Sequence, residues 1–479
     1  MAAQVGNDRE EIMKPFGLAQ GGQVQNDREE IMKVAIVHDY IKEYGGAERV
    51  LEALCEIFPE APIYTAFYKK DSIAYQKFKD KKIIASWVQN IPFFATKLHS
   101  PLRFLAPFIW GSFDFSKYDV VISSASWYVT KGFGRRDISS HPELGSGSDS
   151  GQARMTGRLF RSARNDEEGE IPKQVRNDDK KKKPIEICYC HTPPRWLYGY
   201  KTSVEWQKFW PIKVYGTIIG HFMRLYDFNA AQKVDYFIAN SEEVKQRIKK
   251  FYRREAIVIY PPVELPAHPV IPARCFEEAS PLGGKAGIQK KTWIPNQVGN
   301  DKKKIQDENG EEGYYFIVSR IVGSKGLDLA VEAATKLGFK LKIAGATSGY
   351  YTEHKKLAES AKDNVEFLGF VTDEELVSLY ANTKAFLALA EDEDFGITPV
   401  EAMSCGTPVI AYNGGGYKET VIEGKTGVFF NEHSVESLIS AIKKFEKISI
   451  KSEDCIKQAQ KFSKEEFKRK IKDFVEKLP

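Results

Sequence analysis

Short apolar runs, each followed by a stretch with helical spacing, recur along this chain of 479 residues and constrain its fold more than any other feature. In the first half the runs cover residues 34–37, 62–67, 119–123, 186–190 and 235–239. In the second half they cover 314–318, 340–344, 365–368, 385–390, 408–411 and 428–430. Between them, Val50, Leu51, Leu54, Ile57 and Phe58 recur as one face of a helix, and residues 374–382 and 434–445 also read as helices. A strand that is apolar throughout is covered on both faces, and strands alternating with helices pair in parallel. Two α/β domains are therefore expected, facing each other across a cleft, with ligands bound outside the carboxyl ends of the strands. The chain closes on a helix over 463–479. Ser463-x-x-Glu466 reads as its capping box, and Phe467, Ile471, Phe474 and Leu478 as its apolar face.

Four copies of Gln-Val-x-Asn-Asp interrupt this pattern, starting at Gln4, Gln23, Gln174 and Gln297. Solenoid repeats keep a fixed period and carry apolar positions that stack. These copies are irregularly spaced, polar, and set in stretches rich in Gly, Ser, Arg and Lys. They read as inserted sequence that resembles translated mobile palindromic elements of bacterial genomes. Residues 1–31 form an extension expected to be disordered, and inserts run over about 135–184 and about 267–305. Without them roughly 350 to 360 residues remain, a size suited to two domains. The expected boundaries are 32–260 for the N-terminal domain, 261–310 for a linker, 311–462 for the C-terminal domain and 463–479 for the last helix.

Composition excludes several classes. With 70 basic against 65 acidic side chains the net charge is only +5, which does not argue for a nucleic-acid partner. No apolar run approaches the ~18 residues of a membrane-spanning helix. The N-terminus lacks the apolar core of a signal peptide. Six cysteines are too few for a disulfide scaffold of this length. A cytoplasmic enzyme is the expectation.

The motifs cluster at strand ends. Glu393 and Glu401 flank Phe395-Gly396-Ile397-Thr398-Pro399 across a strand-to-helix turn. Thr398, Pro399 and Glu401 fit N-cap, N1 and N3 of a helix, whose free N–H groups attract an anion such as a diphosphate. Glu393 can accept hydrogen bonds from sugar hydroxyls, and Glu401 can reach a ribose or simply close a capping box. Arg320 and Lys325, in the segment 319–326 after a strand, can neutralise a diphosphate or be ordinary surface cations. Gly45 and Gly46 follow the first strand and permit close approach to phosphate, a weak signal by itself. His191 ends the run 186–190, and a Gly-Gly-Gly-Tyr-Lys-Glu turn spans 414–419.

Together these motifs resemble the retaining glycosyltransferases of family 4, and residues 38–49, 61–65 and 188–193 are similar to a bacterial mannosyltransferase-like subgroup. The resemblance implies the GT-B fold, two Rossmann-like domains across a cleft, with the C-terminal helix returning to the N-terminal domain. It implies transfer of a sugar, mannose from GDP-mannose being the subgroup's guess, to a glycan or lipid-linked acceptor in cell-surface polysaccharide synthesis. Arg320 and Lys325 would hold the diphosphate, Glu393 the transferred sugar and Glu401 the ribose. Phe395, Gly396, Ile397 and Thr398 would line the donor site. His191 would contact the sugar, and Gly45 and Gly46 would close over the diphosphate. No cofactor and no metal are expected, since cations can take a divalent ion's place. Alternatives are an inactive relic or sugar-nucleotide binder, an epimerase on the same fold, and a two-carboxylate glycoside hydrolase.

Residues 93–110 combine Phe93, Phe94, Phe104, Phe108 and Trp110 with Lys97 and Arg103. That mixture suits either a peripheral segment at the inner face of the cell membrane or a loop packed on the N-terminal domain.

Deleting 1–31, 135–184 and 267–305, with short linkers at the internal sites, is expected to leave the thermal transition and the donor site intact. An N-terminal domain that unfolds without the middle segment would refute the insertion reading.

Overall fold

The computed structural model describes residues 32–135, 183–200, 210–266, 313–320, 325–345, 357, 359 and 361–479. The extension 1–31 and the bodies of both inserts lie outside the described residues, as do residues 321–324 of the 319–326 segment.

The first sheet contains β1 (Val34–His38), β2 (Ile63–Thr65), β3 (Ile83–Ala85), β4 (Val120–Ala125), β5 (Ile185–Cys190), β6 (Tyr236–Ala239) and β7 (Ile257–Val258). All its pairings are parallel, in the order β3-β2-β1-β4-β5-β6-β7. The second contains β8 (Tyr315–Val318), β9 (Leu341–Ala344), β10 (Val365–Gly369), β11 (Ala385–Ala388), β12 (Val409–Tyr412) and β13 (Gly427–Phe430), again parallel, in the order β10-β9-β8-β11-β12-β13. Each order reverses direction, at β1/β4 in the first sheet and β8/β11 in the second. Such switch points leave a crevice beyond the carboxyl ends of the strands.

The apolar runs became strands for the reason expected. Ile36, Ile122 and Ile187 point to one face of the first sheet, where the helix Gly46–Ile57 packs, while Ala35, Val37 and Val121 meet the helices Ala106–Gly111 and Trp210–Lys233 on the other. β3 and β7 escape a reading of apolar runs because they are edge strands of three and two residues, each only partly covered.

The last helix, Lys464–Glu476, returns to the N-terminal sheet. Phe467, Ile471 and Val475 are buried there with Leu51 and Leu54, and the Phe467 ring lies 5.7 Å from Tyr189. Phe474 and Leu478 pack only at the edge of this cluster, and Val475 takes the buried place. Half of the anticipated capping box forms: Ser463 Oγ accepts the Glu466 N–H at 3.3 Å. The Glu466 carboxylate turns instead to Arg469 and Lys470. The linker from the first sheet runs beside this crossover, Val263 N–H donating to Phe462 O at 3.0 Å.

Residues flanking the middle insert meet each other. Arg135 Nε donates to Lys183 O at 2.6 Å, and the Glu186 carboxylate accepts the N–H groups of Gly132, Phe133 and Gly134. The chain therefore leaves and re-enters the domain at one point, at the start of β5.

Phe467→Ala is expected to cost about 3 kcal/mol or more, because the ring fills a site in the N-terminal core. Urea unfolding followed by circular dichroism measures it. A loss below about 1 kcal/mol would show that the returning helix is not part of that core.

Candidate functional site

Loops from both sheets meet in the crevice. From the C-terminal half come Ser319 and Arg320 after β8, the acidic stretch 391–394 after β11 and the glycine turn after β12. From the N-terminal half come the 39–46 loop after β1 and the His191–Arg195 loop after β5.

Glu393 is the centre. Lys325 Nζ lies 2.7 Å from its Oε2. Burial pushes the Glu393 carboxyl upward, but Lys325, then Arg195 and Arg320, outweigh burial and hold it below the usual carboxylate range. The glycine turn supports the loop from behind, Gly416 N–H donating to Glu393 O at 2.9 Å. Arg320 is more exposed and reaches across the crevice, its Nη1 3.8 Å from Glu43 of the N-terminal half. Lys325 and Glu393 are thus paired, with Arg320 near enough to help hold the Glu393 carboxyl down.

The helix after this loop runs over Ile397–Ser404, with Gly396 as its N-cap at φ +87°. Thr398 and Pro399 therefore sit inside the first turn, and the Thr398-x-x-Glu401 capping box does not form. Glycine takes this left-handed conformation without strain, so the chain turns into the helix before Thr398. Ile397 and Thr398 stay partly exposed beside the helix N-terminus. Phe395 points the other way. It is 2% exposed, with ring centroids 5.5 Å from Tyr260 and 5.4 Å from Phe462, so its ring anchors the linker.

Glu401 is buried and engaged. Its carboxylate pairs with Arg49 of the N-terminal half and accepts the Tyr380 hydroxyl at 3.0 Å. Gly46 lies on the same seam: a Cβ there would stand 2.8 Å from Ile397 Cδ1, so a side chain at this position would push the Ile397 methyl aside. Gly45 caps the helix Gly46–Ile57.

His191 follows β5 and is only partly exposed. Its Nε2 lies 2.8 Å from Ser124 Oγ rather than against an acid. Burial, with His38 adding, pushes its pKa down to about 3. The imidazole is therefore neutral at neutral pH and works as a hydrogen-bonding group, not as a cation.

Several residues of this seam were not singled out by spacing. Arg195 pairs with Asp394 at 2.9 Å and donates to Asp392 O, and Arg247 also holds Asp394. Glu419 accepts the N–H groups of Glu242 and Glu243 at 2.7 and 3.0 Å, capping a helix of the other domain. Arg49 and Arg195 stand next to recognised motifs, which was the available signal. Asp392-x-Asp394 is a spacing that suits a metal, but Asp394 is taken by the two arginines. Among the described residues no three His, Cys, Asp or Glu side chains come close enough to share a metal ion.

Comparison with known proteins bears on the fold and on the C-terminal part of the chain. Residues 299–462 match the family model described as glycosyl transferases group 1. An uncharacterized glycosyltransferase of Methanocaldococcus jannaschii is 27% identical over 136 residues, covering 28% of this chain and 39% of that protein. A GDP-mannose-dependent alpha-(1-6)-phosphatidylinositol monomannoside mannosyltransferase of Mycobacterium tuberculosis is 32% identical over 171 residues, covering 33% of this chain and 44% of that one. The chain thus matches about two fifths of the length of these relatives. Among solved structures, HepE of Anabaena in complex with UDP and glucose is similar with a TM-score of 0.57 at 16% identity, over 93% of this chain and 100% of that one. The fold is GT-B.

The depressed His191 pKa makes a stability prediction. Between about 3, its folded value, and its ordinary value of 6.5, the unfolded chain takes up a proton that the folded chain refuses. This contribution is fully present above pH 6.5 and is lost as pH falls toward 3. Half-buried His99, pushed down to about 4 by burial and Lys42, acts in the same direction. Urea midpoints should therefore fall between pH 7 and 5, and His191→Asn should flatten that slope. An unchanged slope would contradict the assignment.

Proposed function

We propose that this GT-B chain, whose C-terminal half matches the glycosyl transferases group 1 model, is a retaining family 4 glycosyltransferase. It moves a hexose from a nucleoside diphosphate sugar to a glycan or lipid-linked acceptor in cell-surface polysaccharide synthesis. The observation that carries this reading is the Lys325–Glu393 pair, 2.7 Å apart at the mouth of the crevice, with Arg320 beside it and the N-terminus of the helix Ile397–Ser404 just beyond.

In this reading the leaving diphosphate develops negative charge, and Lys325, Arg320 and the N–H groups near Ile397 and Thr398 are there to stabilise it. Glu393 accepts hydroxyls of the transferred sugar. Glu401, already engaged by Arg49 and Tyr380, keeps lone pairs that can accept a ribose hydroxyl, and parting of the two halves would expose them further. GDP-mannose is supported as donor by the mycobacterial relative, whose name gives GDP-mannose dependence. HepE holds UDP, so the base stays a matter for assay. An epimerase is not favoured, because the matched family model is one of transferases. An inactive relic is opposed by the assembled Lys325–Glu393–Arg320 set.

A lipid-linked acceptor at the inner face of the membrane is supported by an exposed apolar face. Trp210, Val214, Ile218 and Phe222 follow one another at four-residue steps on the helix Trp210–Lys233. Tyr215 OH donates to Pro101 O at 2.6 Å, tying this helix to the segment that exposes Phe93 and Phe108. Phe94 and Trp110 of that segment belong instead to the core. No described helix is long and apolar enough to cross a membrane.

Glu393→Ala and Arg320→Ala are each expected to lower transfer by about 100-fold or more in an assay of donor turnover with purified protein, the folded state being checked by circular dichroism. Near-normal turnover in either variant would reject the assignment. Flotation with anionic vesicles should carry the wild type and lose Trp210→Ser/Phe222→Ser; no flotation of the wild type would remove the membrane part.

A further inference from the structure

Behind the crevice lies a buried polar row that the proposed chemistry does not yet use. β1, β4 and β5 are neighbours in register, which places His38 beside Ser124, and Ser124 beside the end of β5. His38 is 2% exposed. Its Nδ1 lies 3.1 Å from Ser124 Oγ, and its Nε2 lies 3.5 Å from Oε1 of Glu48, in the first turn of the helix Gly46–Ile57. The other Glu48 oxygen accepts the Gly45 N–H at 2.9 Å. Ser124 Oγ in turn lies 2.8 Å from His191 Nε2. The row runs Gly45, Glu48, His38, Ser124, His191, from the glycine turn at the seam to the imidazole at the end of β5.

A carboxylate only accepts hydrogen bonds, so His38 turns an N–H, on Nε2, toward Glu48. With that as the ring's single proton, Nδ1 is a lone pair and accepts the Ser124 hydroxyl. Ser124 Oγ has its own hydrogen committed, so it accepts from His191 Nε2–H. One nitrogen of His191 is left, Nδ1, with a lone pair and no bond to any described residue. The opposite polarity would set the His38 lone pair against the Glu48 carboxylate in a site with almost no water, where such a mismatch is costly.

We propose that Glu48 holds His38 with its single proton on Nε2 and so, through His38 and Ser124, is a positioning residue that fixes His191 as the Nε2–H tautomer, whose Nδ1 accepts a hydroxyl of the bound sugar. This rests on the glycosyltransferase reading for the identity of the hydroxyl, but not for the tautomer. Since Glu48 also holds Gly45 N–H, the same carboxylate ties the orientation of His191 to the turn that lies against Ile397.

The test has two arms. In the first, nitrogen-15 NMR of the full-length free protein, with imidazole signals assigned by His191→Gln and His38→Gln, reads the His191 tautomer. The wild type should show, for both His191 and His38, a proton on Nε2 and none on Nδ1. Glu48→Gln can offer an N–H to His38 and reverse the row, so it should shift His191 toward Nδ1–H; Glu48→Asp should keep the wild-type tautomer. A proton on Nδ1 in the wild type, or the same tautomer in Glu48→Gln, overturns the proposal. In the second arm, with nucleotide sugar as donor, Glu48→Gln and Ser124→Ala should lower kcat by about 10- to 100-fold with KM for the donor changed less than about threefold, and Glu48→Asp should recover most of the loss. Equal losses in Glu48→Gln and Glu48→Asp would make Glu48 merely structural and overturn it. Should Glu48→Gln fail to fold, Ser124→Ala, which cuts the row at its middle, carries both readouts: there the His191 tautomer should lose its Nε2–H preference, and an unaltered tautomer overturns the proposal. A wild type that shows the stated tautomer but turns over no nucleotide sugar would refute the functional reading and leave the row standing.

Discussion

Carboxylates of the C-terminal half paired with cations and N–H groups of the N-terminal half hold the crevice in the form seen. Asp394 is gripped by Arg195 and Arg247, Glu401 by Arg49, and Glu419 by the N-terminus of the helix Glu242–Tyr252. Each acid gains its cross-domain partner only when the two sheets face each other. An exposed ion pair contributes at most ~1 kcal/mol, but a partly buried one costs several when a single partner is removed. The closed form is therefore held by a few terms of modest size, and a ligand that replaces one partner can compete with it. Glu401 illustrates this: its carboxylate is engaged by Arg49 here, and opening of the seam would free it for a hydroxyl.

The elements that must not move are fastened differently. Phe395, Tyr260 and Phe462 form an aromatic cluster where the linker and the C-terminal crossover run together, and the returning helix joins the N-terminal core through Phe467. Apolar burial of this kind is not displaced by a polar ligand. Movement between the halves is thus left to the polar seam, while the loop bearing Glu393 is braced by Phe395 on one side and the glycine turn on the other. In the proposed reading such bracing preorganises the site, because a charge stabilises a leaving group only if it is already in place.

Much of this was legible from the residues alone. Continuous apolar runs at 34–37 and 385–390 became β1 and β11 because parallel strands are covered on both faces, and the charge partners Lys325 and Glu393 met because both follow strand ends of one sheet. The failures have physical causes. β3 and β7 carry too few residues for a pattern. Phe395 lies inside a functional motif, yet its ring is used for packing, which local sequence does not reveal. Thr398 looks like a cap, but Gly396 reaches the left-handed conformation first and starts the helix earlier. Arg49, Arg195 and Arg247 act across the domain seam, at separations of 147 to 352 residues where they meet Asp394 and Glu401, which no local spacing encodes.

The central claim is that Lys325 and its neighbours form a seat for a nucleoside diphosphate. Calorimetric titration of the full chain with GDP, UDP and ADP tests it most directly. At least one of them should bind at a single site per chain, with affinity lost in Lys325→Ala and retained in His191→Ala, because in the proposed reading the cations that hold the diphosphate belong to the C-terminal half and His191 contacts the sugar. Absence of binding by all three, or undiminished binding in Lys325→Ala, would contradict it.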